Sequence, residues 1–242
     1  MNFPSLLSFS ILFFLSCYCP FAGAQGRGIN LLEVLYSTAY DGRSKDNMAV
    51  MTFRHAKPWG KGDNFFFIDV SNPDNYNRGG NLYMEWGPRL SLGKIFKDQP
   101  IQFGIIKDFY LVGELNHVHN PHVVKTTPLY GISVDLDIPG FSMFKLNMVK
   151  RDDPHLKGKS EQMSMIWNYP FKLFGNSFLF EGFMDIVSNE GATPASLHTQ
   201  PQLVWKPMQK LNVGIEYQYW SNKNGRKGFT ESVLQGMVRW NF

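Results

Sequence analysis

The 242-residue sequence predicts an all-β protein, an antiparallel transmembrane β-barrel of twelve strands. Apolar and polar residues alternate in segments of about nine to twelve residues along most of the chain, as half-lipid, half-lumen strands require. The connections sort into short turns on one side and longer polar loops on the other. Aromatic residues make up 15% of the chain and many fall near strand ends, where a bilayer selects interfacial girdles.

The first 24 residues, "MNFPSLLSFSILFFLSCYCPFAGA", carry no charge, and an apolar stretch from Leu6 to Cys19 leads to Ala22-Gly23-Ala24. This pattern reads as a secretory signal peptide cleaved after Ala24, although it lacks the usual early Lys or Arg. The apolar run is shorter than the ~20 residues of a spanning helix, which disfavours an anchor. Lipoprotein processing at Cys17 or Cys19 fits poorly, with "FLSC" before the first and Pro20 after the second. Cleavage leaves residues 25–242 as the barrel, and both cysteines depart with the leader. An exported chain without disulfides must draw its stability from core, sheet or membrane.

The formal net charge of +4 is too small an excess to imply a nucleic-acid partner. Mean hydropathy is −0.23, and past residue 24 no apolar run approaches a spanning helix. A membrane residence therefore requires a closed barrel.

Strands are expected at 29–40, 47–56, 64–71, 81–92, 101–115, 128–138, 142–151, 161–169, 177–187, 197–205, 211–220 and 231–242. An even number returns both chain ends to one side. If the first strand rises from the periplasm, the periplasmic turns are "KPWGKGD", "GKIFKDQP", "IPGF", "PFKLFGN" and "KPMQK", compact and rich in Gly or Pro. The outer loops include "NPDNYNRGGN", "NHVHNPHVVKTT", "KRDDPHLKGKSE" and "SNKNGRKGFTE". A soluble sandwich or lipocalin-like barrel has no reason to sort its loops in this way, and would carry its rings inside. The last strand, "ESVLQGMVRWNF", sets Phe242, Trp240, Val238 and Leu234 on one face and Arg239 and Gln235 on the other. Its aromatic face is expected to meet lipid.

With the apolar parity outward, the opposite parity lines the lumen. That face carries Tyr83, Glu85 and Arg89; Asp108, Tyr110 and Glu114; Asp135 and Asp137; Lys145 and Arg151; Glu181 and Asp185; His198; Glu216 and Trp220; and Arg239. Glu33 and Arg54 suggest a lumenal face in the first two strands, where alternation is not clean. Twelve strands lie between the eight that side chains fill and the sixteen that leave a wide channel. A constricted, water-filled pore with polar walls and stacking rings suits a small polar solute. A plugged structural or adhesive barrel remains the competing reading of the same ladders.

An outer-membrane enzyme is the further alternative. His117, His119 and His122 in "NHVHNPHVV" are the candidate metal ligands, against a plain polar loop. No G-x-S-x-G elbow occurs, and no serine stands beside a histidine in a way that compels a lipid hydrolase. The glycine-rich stretches lack phosphate-loop spacing, and no cofactor is expected. The basic "NKNGRKG" suggests either lipopolysaccharide phosphates or plain solvent as its neighbour.

Several stretches resemble the nucleoside-specific channels of the outer membrane, the Tsx-like porins. "YMEWGPRLSLGKI" is similar to a family segment through Glu85, Pro88, Arg89, Ser91 and Lys94. "FGIIKDFYLVGELN" resembles the next strand at Phe103, Gly104, Lys107 and Tyr110, with Asp108 where the family has Glu. "LYGISVDLDIPG" shares Tyr130, Gly131, Asp135 and Asp137, "YSTAY" resembles a Tyr-x-Thr-x-aromatic stretch, and "SLH", "GIEYQYW" and "MVRWNF" resemble the last three strands. The resemblance runs thinly over nearly the whole mature chain. It implies a monomeric twelve-stranded barrel, in contact with membrane lipid and lipopolysaccharide, that passes nucleosides by diffusion through a narrow channel. It also implies that Tyr40 lies in the binding passage, with Glu85, Arg89, Asp108, Tyr110, Asp135 and Asp137 at matching polar positions. The outer loops are shorter than the family's, which bears on specificity more than on the barrel.

Overall fold

A computed structural model describes residues 28–38, 47–73 and 80–242. The expected leader, residues 1–24, and Tyr40 lie outside the described residues. The strands are β1 (Ile29–Ser37), β2 (Met48–Trp59), β3 (Gly62–Ser71), β4 (Asn81–Ser91), β5 (Ile106–His119), β6 (Val124–Leu136), β7 (Met143–Arg151), β8 (Ser160–Leu173) and β9 (Asn176–Val187). Strand β10 is interrupted, running as Ser196–Thr199 and Gln202–Trp205; β11 (Leu211–Ser221) and β12 (Thr230–Asn241) follow. Both pieces of β10 pair with β9 on one side and β11 on the other, so twelve strands form the wall. Every neighbour is antiparallel, and β1 pairs β12 from Leu31↔Asn241 to Tyr36↔Gly236, closing the barrel.

The chain is inverted relative to a soluble protein. Charged and amide groups occupy the interior: Glu33 is 1% exposed, Arg89 4%, Asp108 2% and Arg239 3%. On the outside, Leu234 is 60% exposed, Met148 61% and Ile132 54%. Only hydrocarbon makes that distribution favourable, since exposed apolar area costs free energy in water and buried charge costs it in a dry core. Phe242, 70% exposed, sits on the outer apolar face as expected.

Apart from the β4–β5 connection, short turns gather on the rim where β1 begins and β12 ends. The β8–β9 turn is two residues, Phe174 and Gly175, at φ 48° and 77°. Two positive φ values make the tight hairpin whose twist matches the strands, and Gly175 takes its value without strain.

Four features differ from expectation. "GKIFKDQP" is not a compact turn: Leu92–Phe96 forms a short helix, α1, and the connection runs on to Ile105. Ser91 caps α1 by accepting from the Lys94 N–H at 3.0 Å, an N-terminal signal within an otherwise strand-like pattern. Strands β5 and β6 reach past the expected outer-loop boundary, His119 pairing with Val124, so most of "NHVHNPHVVKTT" is hairpin. Strand β10 breaks at Gln200-Pro201, because Pro201 has no N–H to give the ladder. Trp167, one of the aromatic residues near strand ends, is only 8% exposed and packs on Phe180 at 5.7 Å.

Candidate functional site

Two ion-pair girders cross the lumen. In the first, Arg54 from β2 and Arg239 from β12 converge on Glu33 of β1 and Glu181 of β9. Arg54 Nη2 donates to Glu33 Oε2 at 2.5 Å, and its Nη1 reaches Glu181 Oε1 at 3.2 Å. Arg239 donates to Glu33 Oε1 at 2.7 Å, to Glu181 Oε1 at 2.5 Å and to Gln202 Oε1 at 2.7 Å. Two guanidinium forks thus meet two carboxylates, and the planar fork lets each charge be bonded more than once. Glu216 stands beside them, accepting from Gln202 at 2.6 Å and Gln235 at 3.1 Å.

The second girder lies in the short-turn half of its strands. Arg89 of β4 donates to Asp135 Oδ1 at 2.7 Å and Ser133 Oγ at 2.9 Å on β6, and holds Asp63 of β3 with Nε at 2.9 Å and with Nη2. Its guanidinium lies 4.0 Å from the ring centre of Tyr110. Lys145 of β7 reaches Asp63 at 3.5 Å. Asp108 anchors the long β4–β5 connection at this mouth, accepting from Ser91 Oγ at 2.5 Å and the Ile101 N–H at 3.1 Å. A cavity of about 360 Å³ opens here, lined by Asp108, Tyr110, Asp135 and Lys107 among others.

Toward the opposite rim, stacked rings join the ion pairs. Register sets His198 beside Trp220 on one side and Asp185 on the other. The His198 and Trp220 rings stack at 4.4 Å and 19°, and Phe183 meets His198 edge-on at 5.1 Å. Lys223 lies 5.4 Å from the Trp220 ring and pairs with Glu231 at 2.5 Å. The His198 Nε2 is buried without a hydrogen-bond partner. On the wall across the lumen, Phe67 and Tyr83 lie 5.7 Å apart, and the Tyr83 hydroxyl donates to Glu85.

The expected site residues therefore divide into groups. Arg89, Asp108, Tyr110, Asp135 and Lys145 come together at the short-turn mouth. Glu181, Glu216 and Arg239 join the first girder. Tyr83 and Glu85 occupy the long-loop half of one wall, and Asp185 and Trp220, on either side of His198, that of another. Asp137 lies past the end of β6, its side chain 70% exposed at the rim and paired with Lys107 at 2.8 Å. Tyr40 is outside the described residues. His117 faces outward, its Nδ1 2.8 Å from Thr126 Oγ1, and His122 gives its backbone N–H to Asn120. Among the described residues, no group of three or more His, Cys, Asp or Glu is arranged to hold a metal.

Sequence reasoning left Arg54 and Glu33 ambiguous and passed over Asp63 and Phe183. The cause is an apolar patch on the inward face: Leu35, Val50, Leu179, Val204 and Met237 pack together inside the wall. Strands β1 and β2 are thus apolar on both faces in places, and alternation fades there. Phe183 carried a usable signal, since it shares parity with Glu181 and Asp185.

Comparison with known proteins agrees with this architecture. The described barrel resembles the NanC porin at a TM-score of 0.54 and 11% identity, covering 88% of this chain and 100% of that one. It resembles the KdgM porin at a TM-score of 0.51 and 6% identity, covering 88% and 99%. No curated protein sequence matches the chain. The model of the family "Nucleoside-specific channel-forming protein, Tsx" matches residues 33–236. Most of the chain lies within that match, so this protein belongs to the Tsx family of nucleoside-specific channel-forming proteins and is a channel of the outer membrane.

Proposed function

We propose that the barrel passes nucleosides by facilitated diffusion, with no chemical step, as a monomer bedded in outer-membrane lipid. The stacked His198–Trp220 pair carries this reading, since a flat π-system beside polar side chains suits a nucleobase with its ribose. Phe183 closes the edge of this shelf, and the bare His198 Nε2 offers a hydrogen bond to a base edge or sugar hydroxyl. Stacking of a base on a ring is worth roughly 1–3 kcal/mol, enough to concentrate solute yet let it leave. Below the shelf, Glu181, Glu216 and Arg239, then Arg89, Asp135, Lys145 and Tyr110, hand hydroxyls from one hydrogen bond to the next. The family resemblance adds the Tyr40 ring to the binding passage. Residues 1–24 serve as the export signal and are removed after Ala24. The basic stretch 222–228 faces lipopolysaccharide phosphates.

Reconstitution in planar bilayers tests the reading. Adenosine or thymidine should reduce the ionic conductance saturably, and Tyr40→Ala should weaken that block without unfolding the barrel. Conductance indifferent to nucleosides would overturn it.

A further inference from the structure

The short-turn rim carries lysines that the lumen does not use. Among the described residues, Lys61 pairs with Asp98 at 2.5 Å and Lys107 with Asp137 at 2.8 Å, while Lys57, Lys97, Lys206 and Lys210 pair with no carboxylate. The opposite rim differs, since Lys125, Lys150, Lys159 and Lys223 each meet an acid there. The four unmatched bases follow one arc of the wall. It runs from the β10–β11 turn, past the paired ends of β12 and β1, to the β2–β3 turn and α1.

A second observation is the company these bases keep. Lys57 shares the outward parity of Met51 and Phe53 on β2, and Trp59 follows it at the strand end. Trp205 directly precedes Lys206 at the end of β10. The Lys210 Nζ lies 6.0 Å from the ring centre of Trp240. Trp59, Trp205 and Trp240 are 42%, 41% and 43% exposed, and interfacial tryptophans mark the level where hydrocarbon gives way to headgroups. At the end of α1, Lys97 follows Phe96, which is 76% exposed. Lys61 ties this helix to the β2–β3 turn by donating to the Lys94 carbonyl at 2.5 Å.

The rings select the partner. They continue the lipid-facing wall, so what meets them is already membrane, and the charge that complements unmatched ammonium groups at that level is a headgroup phosphate. We infer that this arc binds anionic phospholipid, with Lys57, Lys97, Lys206 and Lys210 on the headgroup phosphates and Trp59, Phe96, Trp205 and Trp240 at the acyl boundary. The inference takes the short turns as periplasmic, which sets the arc against the phospholipid leaflet of the outer membrane. A zwitterionic headgroup carries its own ammonium, whereas an anionic one has net charge for the lysines to meet, so the arc enriches the anionic lipid around the channel. This preference belongs to the outer wall and is separate from the solute path inside.

Quenching of tryptophan fluorescence by dibrominated lipids tests the inference. The protein is reconstituted in phosphatidylcholine vesicles that contain dibrominated phosphatidylglycerol or dibrominated phosphatidylcholine, and Trp59, Trp205 and Trp240 report the lipids along the arc. The anionic lipid should be preferred roughly fivefold or more, the effect of one engaged lysine near such a headgroup. That preference should shrink near 1 M salt, where the Debye length is about 3 Å. Lys57→Gln/Lys97→Gln/Lys206→Gln/Lys210→Gln should remove it, and replacing the same four by Arg should retain it. Lys157→Gln/Lys227→Gln, on the opposite rim, should leave it unchanged. If the fourfold Gln variant fails to insert, Lys206→Gln/Lys210→Gln alone should lower the preference. Equal quenching by the two lipids in the unaltered protein, or a preference that survives the fourfold Gln variant, would overturn the arc as a lipid site. A preference lost in the opposite-rim variant would overturn it equally, by moving the lipid to that rim.

Discussion

At the scale of single residues, the barrel depends on charges that have no use for water once they are matched. Arg239 is 3% exposed and bonds Glu33, Glu181 and Gln202 together. Truncating one partner of a buried pair strands the other, at a cost of about 3–5 kcal/mol. Arg239→Ala should therefore lower the guanidinium midpoint for unfolding from detergent micelles by that equivalent. It should also raise single-channel conductance, because one bar of the girder is gone. Trp220 acts differently: its ring is a surface for solute. Loss of stacking worth about 1–3 kcal/mol corresponds to roughly 5- to 150-fold weaker nucleoside block in Trp220→Ala, read from the half-blocking concentration, with stability little changed. A block that survives Trp220→Ala would move the base to another ring.

At the scale of elements, the interrupted strand and the outer hairpins carry the constraints. Gly182 on β9 lies against the break in β10, where a Cβ would stand 2.5 Å from the Gln200 carbonyl oxygen and 2.8 Å from Pro201 Cα. Backbone cannot yield as a side-chain tip can, so Gly182→Val should destabilise by about 1–3 kcal/mol and slow refolding into micelles as followed by heat-modifiable gel mobility. The β7–β8 loop is tied to β6 by Asp153, which accepts from Lys125 at 2.6 Å and from the His155 N–H at 3.0 Å. Burial raises its pKa, but the Lys125 ammonium and the backbone donor outweigh burial and hold the carboxyl below the ordinary aspartate value of 3.8. A depressed pKa means that the tie contributes in full above the unfolded value and is lost as pH falls through the lower folded one. The loop should thus resist trypsin at neutral pH and loosen only in strong acid. Asp153→Asn should expose Lys157 and Lys159 to trypsin already at pH 7; equal cleavage of the two proteins would show the tie to be idle.

These elements were unequally legible. Strand β12 alternates to its last residue, because one side meets lipid and the other a polar lumen, and its bounds fall within a residue or so of expectation. Strands β1 and β2 were ambiguous, since Leu35 and Val50 pack inward while Val34 and Met51 face outward. Helix α1 escaped notice because five residues span little more than one turn, too few for a period to register.

For the whole molecule, four of the five connections on the rim where β1 begins and β12 ends are short turns, the β4–β5 connection excepted, which predicts that the opposite loops lie outside the cell. Residues 25–242 contain no cysteine, both lying in the expected leader. Single thiols can therefore report sidedness. On intact cells a membrane-impermeant maleimide should label Lys227→Cys, in the loop before β12, and leave Met208→Cys, in the turn after β10, unlabelled until the envelope is opened. The reverse pattern would invert the barrel.

Alternation along the chain specifies the wall: which side chains face lipid outside β1 and β2, that the lumen is charged, and that the sheet closes. Those follow from neighbours along one strand, where parity is a local property. Which charge meets which was decided only by tertiary structure. Arg54 and Glu181 stand 127 positions apart and meet because closure carries β2 and β9 to facing walls. How acid and base distribute around the lumen is likewise a property of the closed cross-section, which no single strand contains.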